Sequence, residues 1–149
     1  MAKKVIKKSD ESQKLSNRWT KGVLDAGWTG IPNILIERQQ ALKLTPLEMN
    51  ILLILMKYWW EKDNHPFPSK RKIADMVGRS LDTVRKTIKK MEEKGLVSRE
   101  KRYFSDNKGQ KSNYYKLDGL VKLLEQFAQE KRKIEKTREE EDSRKIRGH

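Results

Sequence analysis

The sequence predicts a mainly α fold with one small β-hairpin, and three observations carry that prediction. Apolar residues recur at helical spacing within 33–44, 70–77, 81–94 and 118–127, and 46–60 is apolar on most sides. Thr45, Ser69 and Ser80 each stand directly before such a run, where a hydroxyl can cap the first turn. Residues 96–117 read instead as strand, basic turn, strand, with Asn107, Lys108 and Gly109 at the turn.

The bulk properties narrow the class. A chain of 149 residues has room for one ordinary domain plus tails. Its hydrophobic share is 35% and its charged share 38%, so part of the chain is expected to stay solvated. Against 21 Asp and Glu stand 35 Lys and Arg, a net charge of +14, which favours a polyanionic partner, nucleic acid first. The excess is focused: residues 66–116 hold fifteen basic and six acidic side chains. With no cysteine there is no disulfide scaffold or thiolate site, and His65 and His149 lie too far apart in sequence to suggest a ligand pair, so no metal or cofactor is expected. The run "ILLILM" is far shorter than a membrane span, and "MAKKVIKKSD" lacks an apolar signal core. The expectation is a soluble, cytoplasmic protein with no membrane partner. No GxxxxGK phosphate loop occurs, and carboxylate pairs such as Glu92 and Glu93 fall on charged helix faces, so no enzymatic activity is expected.

Taken in order, residues 1–17 show no apolar period and are expected to form a flexible basic tail. The domain is expected over 18–127. "GWTGIPN" makes a turn at Trp28, and a short helix should start near residue 33, with Ile34, Leu35, Arg38, Ala41 and Leu42 on one face. Thr45, Pro46 and Glu48 occupy the N-cap, N1 and N3 positions of a capping box, opening the central helix. After two loop prolines, Ser69 caps a two-turn helix that ends at Gly78, and Ser80 caps the next, from Leu81 to about Lys94, closed by Gly95. Two helices so tightly joined form a helix-turn-helix. Asp118 is expected to cap a last helix whose Leu120, Leu123, Leu124 and Phe127 dock on the domain. Residues 128–149 are expected as a charged helix or a disordered tail.

Helix 81–94 has two unlike sides. Leu81, Val84, Ile88 and Met91 fall on one face and should meet the core. The other edge is small or basic near its start, which suits insertion into a DNA major groove. A solvated amphipathic helix would show the same pattern taken alone.

The segment "LTPLEMNILLILMKYWW…PFPSKRKIADMVGRSLDTVRKTIKKMEEKGLVSRE" resembles the winged helix-turn-helix family of bacterial and phage regulators and replication initiators. The resemblance lies in a Pro-Ser start to the second helix, a Ser-x-x-Thr-Val opening of the recognition helix, and a Met-Glu-x-x-Gly-Leu-Val exit into the wing. "AGWTGIPNILIERQQALKLTP" before it is similar to the leading helix of DnaD-like replication proteins. The resemblance implies a winged helix-turn-helix with an extra N-terminal helix and a C-terminal helix.

By position, Ser80, Asp82, Thr83 and Lys86 are candidates for base edges, with Arg79 and Arg85 reaching bases or phosphates. Lys70, Arg71, Lys89 and Lys90 suit phosphate contact, and Lys108, Gln110 and Lys111 at the hairpin tip could reach the minor groove or the backbone. Asp82 is the awkward member: near phosphates it must accept from a cytosine amine or pair with Arg85 or Lys86, unless it serves only as charge compensation at the helix start. Tyr58, Trp59 and Trp60 cannot all lie on one helix face, so a tryptophan must be covered by residues 19–35 or by a homodimer partner.

The expected function is sequence-specific binding of double-stranded DNA by helix 81–94 in the major groove, in a transcription regulator of a bacterium, phage or plasmid. The alternative is a replication initiation factor that binds an origin and recruits replication proteins. A third reading is an adaptor whose winged helix binds a protein.

Overall fold

The computed structural model describes residues 2–103 and 109–148. They fall into two compact units, Met1–Gly30 and Ile31–His149.

The first unit holds helix α1, Ala2–Trp19, and the short α2, Lys21–Asp25. Helix α1 runs through the stretch that the sequence marks as a basic tail. Neither proline nor glycine interrupts 2–19, and the Lys14–Asp10 pair at 3.1 Å and the Gln13 to Asn17 hydrogen bond at 3.1 Å both span one helical turn. Helical spacing of side chains supports α1 although no apolar period announces it. The second compact unit begins at Ile31.

The second unit begins with α3, Asn33–Glu37, which stops sooner than the expected helical face requires. The chain turns through 38–43, and Lys43 takes a φ of 56° to reverse direction. Leu35 and Leu42 are buried all the same, while Ala41 is exposed because the helix no longer carries it inward.

Thr45 opens α4, Pro46–Lys57, with the expected capping box: its hydroxyl accepts from the Glu48 amide at 3.2 Å, and Glu48 Oε1 accepts from the Thr45 amide at 3.1 Å. Pro46 at N1 sets the first turn without wasting a donor. Ile51, Leu52 and Leu55 are wholly buried, so this helix is the centre of the core. Trp59 also packs against that core and its indole donates to the Lys62 carbonyl at 3.2 Å, whereas Trp60 stays 72% exposed. One tryptophan of the pair is thus covered from within this unit.

Helices α5, Lys70–Val77, and α6, Leu81–Glu93, pack on α4 and on each other. Strands β1, Ser98–Tyr103, and β2, Gln110–Lys116, pair antiparallel from Ser98 opposite Lys116 to Tyr103 opposite Gln110, with an irregularity between Glu100 and Arg102. Tyr115 on the inner side of this wing is 1% exposed.

Helix α7, Asp118–Ile146, closes the unit. Its cap corrects the expectation for Asp118: Leu117 is the N-cap and makes no side-chain bond, so Asp118 is the first helical residue. There its charge faces the positive end of the helix dipole instead. Leu120 and Leu124 are buried, Arg38 lies over the Phe127 ring at 5.1 Å, and Lys131 pairs with Glu37 at 3.4 Å, which ties α7 to α3. Residues 128–146 continue the helix, almost wholly exposed. Among the described residues, no helix is long and apolar enough to cross a membrane.

Candidate nucleic-acid interface

The turn between α5 and α6 is made by three residues, Gly78, Arg79 and Ser80. Gly78 takes the left-handed conformation, φ 67°, at little steric cost, and the Arg79 amide donates to the Ala74 carbonyl at 3.1 Å. Ser80 then restarts the chain: its Oγ accepts from the Thr83 amide at 3.1 Å and its hydroxyl donates to Thr83 Oγ1 at 2.9 Å. The Ser80 hydroxyl is therefore engaged in the cap. Thr83, half-buried, keeps its own hydroxyl proton for another acceptor.

On α6, Val84, Ile88 and Met91 are at most 1% exposed and Leu81 is half-buried. The opposite side presents Asp82, Arg85, Lys86, Lys89 and Lys90 to solvent, with Arg79 and Ser80 exposed at its start. Lys86 Nζ lies 2.9 Å from Asp82 Oδ2, one helical turn away. Of the partners open to Asp82, the geometry favours Lys86, while its N2 position also suits the helix dipole. Among the described residues Arg71, Arg79, Arg85, Lys89 and Lys90 make no ion pair, so their charge is available to an outside anion.

Lys70 sits differently from the other candidates. It begins α5, half-buried, and lines a hollow of about 180 Å³ with Lys111, Ser112, Asn113 and Tyr115 of the wing. Burial pulls its ammonium below the ordinary lysine range, and the positive charges of Arg99 and Arg85 pull it further. A phosphate oxygen placed there would relieve that repulsion. Arg71, exposed, follows it on the same helix.

The hairpin tip divides the remaining candidates. Lys108 lies outside the described residues. Gln110 pairs through its backbone with Tyr103, and Lys111 is half-buried opposite Arg102.

Two arginines of the wing escaped the sequence reading. Arg99 stands opposite Tyr115 in the ladder and reaches α6, where its guanidinium binds the Glu92 carboxylate through Nε and, at 3.2 Å, through Nη2. This pair fixes the wing against α6. Strand alternation would have placed Arg99 on the inner side had the register with Tyr115 been readable. Arg102 Nη1 donates to the Ser112 carbonyl at 3.3 Å and stacks on Phe67. That contact depends on a distant loop, and no local signal announces it.

Comparison with known proteins agrees with this geometry. Residues 42–97 match a family described as a helix-turn-helix domain. No curated protein matches the sequence. Among solved structures, the N-terminal domain of DnaD protein from Geobacillus kaustophilus HTA426 is similar at a TM-score of 0.53 and 19% identity, over 83% of this chain and 96% of that one. A possible transcriptional regulator from Methanosarcina mazei Go1 (TM-score 0.45, 17% identity, 74% of this chain and 85% of that one) is more distant. So is MepR of S. aureus in its complex with DNA (TM-score 0.44, 20% identity, 74% and 83%). The DnaD likeness concerns fold alone, and it spans the helices on both sides of the matched domain. With caps at Ser69 and Ser80, a left-handed turn at Gly78 and a two-stranded wing behind α6, the fold is a winged helix-turn-helix, and residues 42–97 within it match the helix-turn-helix domain.

Proposed function

We propose that the protein binds double-stranded DNA sequence-specifically, with α6 in the major groove, and acts as a transcription regulator. One observation carries the reading. The side of α6 opposite the buried Val84, Ile88 and Met91 is a solvent-facing row of Arg85, Lys86, Lys89 and Lys90, on a helix whose start is fixed by the Ser80 cap. A rigid helix start beside small and basic side chains is what base-edge contact requires, and lysines further along suit phosphates. Arg79, Arg85, Thr83 and Lys86 are the base-reading candidates in this proposal. Lys70, Arg71, Lys89 and Lys90 hold the backbone, and Lys108, Gln110 and Lys111 extend the contact at the wing. Ser80 and Asp82 serve chiefly to set the helix start and to orient Lys86. The chemistry is recognition without a reaction, and it calls for no cofactor.

A second reading, replication initiation at an origin, draws support from the extent of fold shared with the DnaD N-terminal domain. Bound-site selection from a random duplex pool, followed by mapping in the native host, tests both. An enriched motif beside promoters supports regulation, and iterated copies at an origin support initiation. A pool that enriches no motif overturns sequence-specific binding. The affinity itself should fall steeply with salt: if roughly six phosphates are neutralised, log K against log salt has a slope near −5. A slope shallower than about −2 removes duplex DNA as the partner.

A further inference from the structure

Away from α6, the loop between α4 and α5 borders a cleft of about 400 Å³, inside the span of roughly 300–1,000 Å³ typical of small-ligand sites. Pro66 and Pro68 are buried and hold Phe67 between them, 47% exposed. The Phe67 ring is fixed on its other contacts: the Arg102 guanidinium lies 3.9 Å from its centroid, and Tyr114 meets it edge-on at 5.8 Å and 89°. The Pro66 carbonyl accepts from the Tyr115 amide at 2.9 Å, which pins the loop to β2.

Lys72 gives the rim of the cleft a cation, its ammonium 4.9 Å from the Tyr58 ring centroid, and Lys57, outside the lining, approaches the same ring at 4.1 Å. Hydrogen bonding to Lys72 first, and to Lys57 in addition, holds the Tyr58 hydroxyl below its ordinary range. A fixed aromatic wall next to a cationic rim matches one nucleotide: a planar base with an anionic phosphate one sugar away. Bases paired inside a duplex have no free face to offer, so the matching ligand is unpaired.

We infer that this cleft binds a nucleotide of single-stranded DNA, its base stacked on Phe67 and its phosphate at Lys72. The choice of DNA over RNA rests on the duplex-DNA reading above, because a strand opened beside that duplex is the nearest supply. The stacking site itself is independent of α6.

The test compares a short oligo(dT) with an abasic oligonucleotide of equal length and charge, by fluorescence anisotropy on the full chain. Stacking predicts about tenfold tighter binding of oligo(dT). Phe67→Ala should erase that difference and leave duplex affinity as it was. Equal affinity for the two strands overturns the site, as does a difference that survives in folded Phe67→Ala. Tighter binding of oligo(U) than of oligo(dT) overturns the assignment to DNA. Should Phe67→Ala lose cooperative unfolding, photo-crosslinking of a 5-iodouracil oligonucleotide to the unaltered chain decides: adducts at Tyr58, His65 or Phe67 support the site, and adducts only elsewhere overturn it. Duplex affinity enters only as the control on Phe67→Ala, and the strand comparison and the crosslinking do not depend on it, so the site fails or succeeds apart from the function proposed for α6.

Discussion

Lys94 Nζ lies 2.7 Å from Glu48 Oε1, joining the end of the helix that faces solvent to the first turn of the helix at the centre of the core. The same ammonium donates to the Lys43 carbonyl at 2.6 Å. Glu48 is 1% exposed, and its Oε2 has no hydrogen-bond partner among the described residues. A buried carboxylate with one oxygen satisfied and the other bare depends heavily on the single cation that reaches it.

Lys94→Met therefore leaves a buried charge without its counterion. It should cost about 1–3 kcal/mol, the low end reflecting the partial exposure of Lys94. Thermal unfolding measures the loss. In a double-mutant cycle, Glu48→Gln together with Lys94→Met should cost less than the two changes summed, because the carboxylate that needs the ammonium is gone. Strict additivity would show that the two groups do not interact in solution.

The same pair sets an acid limit. Burial alone would raise the Glu48 pKa, but hydrogen bonds from Lys94 and from the Thr45 amide and hydroxyl outweigh it and lower the value. A carboxyl whose folded pKa is depressed stabilises the fold fully above its unfolded value, about 4.3 for glutamate. That contribution is lost as pH falls through the lower, folded value. Denaturant midpoints should thus decline below roughly pH 4.3, and the decline should shrink in Glu48→Gln. An unchanged profile in the variant would place the acid sensitivity elsewhere.

Gly119 answers to a different constraint. It lies in the first turn of α7 against the Gly95 backbone, and a Cβ built there would penetrate the Gly95 carbonyl well inside van der Waals contact. The obstacle is backbone and cannot swing aside, and the φ of 73° at Gly95 leaves that turn little freedom to shift. Gly119→Ala should lower the melting temperature by several degrees, an effect of about 1–3 kcal/mol. Gly22→Ala, where a Cβ meets nothing within 4 Å, is the control and should be neutral or slightly stabilising.

Gly119 also shows where sequence reading stops. The caps at Thr45, Ser69 and Ser80 and the stop at Gly78 are local events, decided within four residues, and each stands where the pattern puts it. The buried side of α6 follows from a period of 3.6 and is equally local. The close approach of Gly119 to Gly95, the reach of Lys94 to Glu48 and the stacking of Arg102 on Phe67 join residues far apart in the chain. No spacing rule encodes them. The helix over 2–19 escaped for another reason: its apolar residues are few among many charged ones, and the single Lys14–Asp10 pair that spans one turn is a weak signal beside a clear apolar stripe.

The α6 residues allow the sharpest discrimination, because neighbours in sequence face opposite ways. Val84 is 0% exposed, so Val84→Ala opens a cavity beneath the helix and should cost about 1–3 kcal/mol of stability. Arg85 beside it is exposed and makes no ion pair among the described residues, so Arg85→Ala should leave the melting temperature in place and weaken binding to duplex DNA. Asp82 supplies a third, opposite sign. Its carboxylate holds Lys86 at 2.9 Å on the exposed side, so Asp82→Asn frees the lysine and removes a negative charge from the surface proposed to meet phosphates. Affinity for unrelated duplexes should then rise, by a factor of roughly two to ten, with a steeper dependence on salt. Calorimetry for folding and anisotropy titrations for binding separate the three outcomes. A loss of DNA affinity on Asp82→Asn would mean that the carboxylate accepts from a base, which makes Asp82 a reader of sequence rather than a brace for Lys86. Unaltered binding in Arg85→Ala and Lys86→Ala together would remove α6 from the groove.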